Sequence, residues 1–109
     1  MTKEQAIIAL QQLSGRSNPM NSLTAMIGAY NFSVGNDVRF IFKMFRKANI
    51  CAIELNEVLD LYTLKFIKFN KKTYNFDIVK SFEGVYFDQL TELFEMYTGL
   101  TLHCPTVMC

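Results

Sequence analysis

The chain has 109 residues and a formal net charge of +1; half of it is hydrophobic and 19% is charged. That length describes one domain able to bury a single core without metal or disulfide staples, and the composition excludes intrinsic disorder and low complexity. With 11 Lys+Arg against 10 Asp+Glu, bulk charge excludes a strongly basic nucleic-acid protein. No apolar run approaches the roughly 18 residues of a membrane span. The opening Met1-Thr2-Lys3-Glu4-Gln5 lacks the order of a signal peptide, so a cytoplasmic protein is expected.

Thr2 followed by Gln5 has the form of a capping box, and Glu4 suits the positive end of a helix. Ala6, Leu10 and Leu13 recur at helical spacing until Ser14-Gly15 stops the element. Asn18-Pro19 reads as an N-cap followed by proline in the first helical position, opening a second short helix with Met20, Leu23 and Ile27 on its apolar stripe. Gly28 ends it.

The period changes from Tyr30 onward. Tyr30-Asn31-Phe32 forms a short strand, and Ser33 to Asp37 is rich in turn formers. Val38, Phe40, Phe42 and Met44 alternate with Arg39, Ile41, Lys43 and Phe45 as a strand. A polar turn at Arg46-Lys47-Ala48-Asn49 leads into a strand from Ile50 to Leu55. Thr63–Phe69 and Thr73–Phe82 form a hairpin around Asn70-Lys71-Lys72, with the β-branched and aromatic content of strands. Asn56 to Leu61 reads either as a loop or as a turn of helix, since Leu55, Leu59, Tyr62 and Phe66 also fit a helical stripe. The final helix carries Tyr86, Leu90, Leu93, Phe94 and Tyr97 on one face and ends at Thr98-Gly99, with Leu100 and Leu102 folding back beneath it.

The expected fold is α+β: two short N-terminal helices, an antiparallel sheet of about four to five strands, and a C-terminal amphipathic helix packed on it. Residues 1–109 make a single domain whose last residues, about six, form a flexible tail. The three cysteines have neither a C-x-x-C nor a zinc-finger spacing. Cys51 lies in an apolar run and reads as a buried small hydrophobe; Cys104 and Cys109 flank Pro105 in the tail beside the one histidine, His103.

No catalytic, cofactor-binding or metal-ligating set emerges. The lone histidine sits near the chain end, and no phosphate-binding or H-E-x-x-H motif occurs. Charge placement says more. Nine basic residues stand between Arg39 and Lys80 against four acids, whereas Ser81 onward has four acids and no Lys or Arg. Tyr62, Lys65, Phe66, Lys68, Phe69, Lys71, Lys72 and Tyr74 interleave rings with ammonium groups and form the candidate interaction surface. In one reading, rings left over from the core, Tyr62, Phe66, Phe69 or Tyr74 among them, form a patch for a protein partner or for a homodimer. In another, Arg39, Lys43, Arg46, Lys47, Lys65, Lys68, Lys71 and Lys72 meet phosphates while bases stack on the rings. In the plainest, the rings fill the core and the lysines guard a sheet edge.

Several strings occur together: Asn18-Pro19-Met20, Ala25-Met26-Ile27-Gly28-Ala29-Tyr30-Asn31-Phe32, Arg46-Lys47-Ala48-Asn49, Asp60-Leu61-Tyr62, and Gly84-Val85-Tyr86-Phe87-Asp88-Gln89-Leu90 with Phe94-Glu95 and Thr98-Gly99-Leu100. In this order they resemble a family of small uncharacterised prophage-encoded bacterial proteins. The resemblance spans most of the chain outside the cysteine-containing tail. It implies a phage-derived accessory protein in the cytoplasm of a bacterial host cell and transfers no site residues. A non-enzymatic interaction protein without a cofactor is the first expectation, a nucleic-acid-binding accessory domain the second, and a small hydrolase or transferase a distant third.

Overall fold

The structure, a computed structural model, describes residues 1–43, 45–100 and Leu102. Met44, which the alternation assigns to a strand, lies outside the described residues, as do His103, Cys104 and Cys109.

Both N-terminal helices form where the sequence places them. In α1, Lys3–Ser14, Thr2 Oγ1 accepts from the Gln5 amide and Gln5 Oε1 accepts from the Thr2 amide, satisfying two of the helix's unpaired donors. In α2, Pro19–Ile27, the proline supplies the first helical position, but the Asn18 side chain makes no capping hydrogen bond. Gly28 closes α2 at φ +67°, and a Cβ there would meet Lys43 Cδ at 3.1 Å. The left-handed φ is what favours glycine here, and the Lys43 side chain would have to shift to admit a Cβ.

Five strands follow: β1 Tyr30–Val34, β2 Val38–Ile41, β3 Ile50–Asn56, β4 Leu61–Asn70 and β5 Asn75–Val85. They pair antiparallel in chain order, so β1 and β5 are the two edges. The segment between β3 and β4 is a turn rather than a piece of helix. Asn56 Oδ1 accepts from the amides of Val58 and Leu59, and Asp60 takes a left-handed φ of 55°. The C-terminal helix starts later than Tyr86. Tyr86 is extended, a 3₁₀ turn spans Phe87–Gln89, and α3 runs Leu90–Thr98.

All three helices contribute to a single core against one face of the sheet. Leu10, Leu13, Leu23, Ile27, Leu90 and Phe94 meet Val38, Phe40, Phe42, Ile53, Leu64 and Phe66. Phe94 is fully buried, its ring 5.5 Å from that of Phe42 and 5.6 Å from that of Phe66. After Gly99 the chain folds back under α3 as its sequence implies: Leu102 is buried, and its amide donates to Glu95 Oε2 at 2.9 Å. No helix among the described residues is long and apolar enough to cross a membrane.

Candidate interaction surface

Strand alternation divides the candidate residues between two faces. On β4, Tyr62, Leu64 and Phe66 point into the helix-covered core, Tyr62 being 6% exposed and Phe66 fully buried. An exposed role for these two rings is therefore corrected: they occupy the same side of the pleat as Leu64, and Tyr97 covers Phe66 at 4.6 Å. Burial raises the pKa of the Tyr62 hydroxyl above its ordinary value, with a smaller contribution from the Asp60 charge. Cys51, on the same face of β3, is fully buried, and burial pushes its thiol far up, leaving it a packing residue.

The opposite face carries Lys65, Ile67 and Phe69 of β4. Register sets Tyr30, Ile41, Ile50, Ile67 and Ile78 in one row across all five strands. The next row is Ser33, Arg39, Ala52, Lys65 and Ser81. This face bears a small apolar cluster of its own: Ile50, Ala52 and Ile67 are buried, with Ile41 and Phe69 against them. Phe76 of β5, together with Asn31 and Ser33 of β1 and Arg39, Ile41 and Ile50, lines a depression of about 270 Å³. A depression bounded by both edge strands requires a sheet curled into a shallow trough.

The curl has a local cause in β5. Two irregularities interrupt its pairing with β4: Val79 is an extra residue between the Phe66–Lys80 and Ile67–Ile78 pairs, and a second lies near Gly84, which takes φ +64°. Bulges of this kind bend the strand and increase its twist. From Asn75 to Ser81 every residue of β5 is exposed, and Phe76, Ile78 and Val79 are 59%, 60% and 42% accessible. The β4–β5 turn holds Tyr74, left-handed at φ 57° and 77% exposed, beside Lys71 and Lys72. Phe69 joins the rings of Tyr74 and Phe76 at centroid distances of 6.4 and 4.7 Å. Of the candidate set, Phe69, Lys71, Lys72 and Tyr74 thus share one surface. Lys68 lies on the other side of β4 opposite Asp77, and Lys65 is in an ion pair with Glu54 at 3.1 Å.

Phe76, Ile78 and Val79 are the surface residues that sequence reasoning missed. Their signal is the run Phe76-Asp77-Ile78-Val79, in which the adjacent Ile78 and Val79 break the alternation of the strand. Charges are sorted by end of the sheet. The β2–β3 and β4–β5 connections share one end of the sheet, which carries Lys43, Arg46, Lys47, Lys71 and Lys72. The β1–β2 and β3–β4 turns share the other, with Asp37, Glu57 and Asp60. Asp37 is bound to Arg39 at 2.8 Å, and that hydrogen bond raises the guanidinium pKa further. Among the described residues, no three His, Cys, Asp or Glu side chains stand together as metal ligands. Comparison with protein-family models, curated proteins and solved structures finds no match.

Proposed function

We propose that this chain is a non-enzymatic interaction protein that binds a protein partner, or a second copy of itself, through the free edge and outer face of the β4–β5 hairpin. The setting implied by its resemblance is that of a prophage accessory protein in a bacterial cytoplasm. One observation carries the reading: among the described residues, the edge strand β5 leaves Phe76, Ile78 and Val79 in solvent along a row of backbone groups that pair with no other strand. An edge so long and apolar is a template for another strand unless something covers it. The other edge, β1, spans five residues and is interrupted at Asn31, which has φ 55°.

A second reading has its own support. Lys71 and Lys72 are exposed in the turn that holds Tyr74, where Phe69 joins the rings of Tyr74 and Phe76, and cations near rings are the combination that binds single-stranded nucleic acid. It loses Tyr62 and Phe66 as stacking platforms, because both are core residues. Affinity capture from a bacterial lysate, with and without nuclease, separates the two. The protein reading expects a bound protein that survives nuclease and is lost with Phe76→Ser or Ile78→Ser. Capture abolished by nuclease, with oligonucleotide affinity falling by about 0.7 log units per log unit of salt for each phosphate contacted, would establish the second reading in its place.

A further inference from the structure

We infer that the occupant of the β5 edge is a second copy of this chain, paired antiparallel about a twofold axis at Ile78. The inference rests on the reading of β5 as the binding edge and names what binds there. The bulge sets the pairing. Because Val79 is extra, Asp77 and Lys80 fall in the two rows directly flanking Ile78, and both lie on the helix side of the sheet. A twofold axis normal to the sheet maps a residue onto its own copy, so Ile78 faces Ile78. The row of Asp77 then faces the row of Lys80 in the second copy, and the reverse holds across the axis. Two opposite-charge pairs bracket one apolar pair, the pattern that stabilises neighbouring strands. Without the extra residue, Asp77 would face Val79 and Lys80 would face Phe76.

The remaining rows agree. Phe76 comes opposite Ser81 and Asn75 opposite Phe82, which brings the Lys71–Lys72 tip of each copy alongside the stretch that contains Glu83 of the other. On the outer face, the row Tyr30–Ile41–Ile50–Ile67–Ile78 continues through the axis into its own copy, giving one ten-stranded sheet from two five-stranded ones. Among the described residues neither Asp77 nor Lys80 has an ion-pair partner within its own chain. Lys80 instead lies over the Phe82 ring at 5.2 Å. The interface is isologous and closes on itself, which removes the β5 edge without starting a fibre.

Sedimentation velocity across a concentration series reaching millimolar tests this with the full chain. The wild type is expected to pass from monomer to dimer. Asp77→Lys sets like charges opposite each other in both rows, as does Lys80→Asp, and each variant alone should dimerise about tenfold or more weakly. Mixing the two variants restores opposite charges in every row, so the mixture should form heterodimers at wild-type strength. Circular dichroism and thermal melts establish that each variant is folded, and both positions are exposed. A wild type that stays monomeric overturns the inference but not the binding edge, which the lysate capture reads independently. Dimerisation indifferent to both charge changes, or a mixture no stronger than its components, also overturns it.

Discussion

Phe66 and Phe69 lie three residues apart on one strand, and the pleat sends their rings to opposite faces. Phe66 packs among Phe42, Phe94 and Tyr97, whereas Phe69 meets Phe76 and Tyr74 at the hairpin end. The alternation of Tyr62, Leu64 and Phe66 was legible in the sequence. Which apolar face the helices cover was not, because Ile67 and Phe69 make the other face apolar too. Tyr62 carries a consequence for pH. Burial disfavours its phenolate, so its folded pKa lies above the unfolded value of about 10. As pH rises through that value the unfolded chain releases the proton first, and stability falls. Chemical denaturation between about pH 9 and 11 should show wild type losing stability faster than Tyr62→Phe. Parallel losses in the two would contradict the burial assigned to this hydroxyl.

At the level of elements, caps and stops carried the most information. The Thr2–Gln5 box and Pro19 open α1 and α2 where the sequence implies, and the left-handed Gly15, Gly28 and Gly99 close α1, α2 and α3. Boundaries shifted where a side chain competed for the backbone. Gln89 Oε1 accepts from the Tyr86 amide, which holds Tyr86 extended and delays α3 to Leu90. Asn56 likewise turns the chain before a helix forms. The helix itself is central to the core through Phe94, which has no exposed surface. Phe94→Ala should cost about 3–5 kcal/mol by urea denaturation, from lost burial and the cavity left between Phe42 and Phe66. Leu93, only partly buried, should cost less on the same change. A near-neutral Phe94→Ala would place α3 outside the core.

Across the whole molecule, what the sequence left unread was curvature. An extra residue such as Val79 shows only when two strands are set side by side, so neither the bend of β5 nor the trough behind it follows from periodicity. Charge was legible as segregation along the chain; the placing of Asp37, Glu57 and Asp60 at one end of the sheet and of Lys43, Arg46, Lys47, Lys71 and Lys72 at the other was not, because it depends on successive turns of a meander alternating ends. The exposed edge is the product of these same features: a long hairpin, bent by bulges, with Phe76, Ile78 and Val79 left uncovered. Amide hydrogen exchange measured at dilute and at high protein concentration tests most directly whether this edge is where the molecule pairs. The outward amides of Asn75–Phe82 are expected to slow as concentration rises while those of Tyr30–Val34, on the opposite edge, do not change. Exchange in β5 that is independent of concentration, or slowing confined to β1, would contradict pairing at this edge.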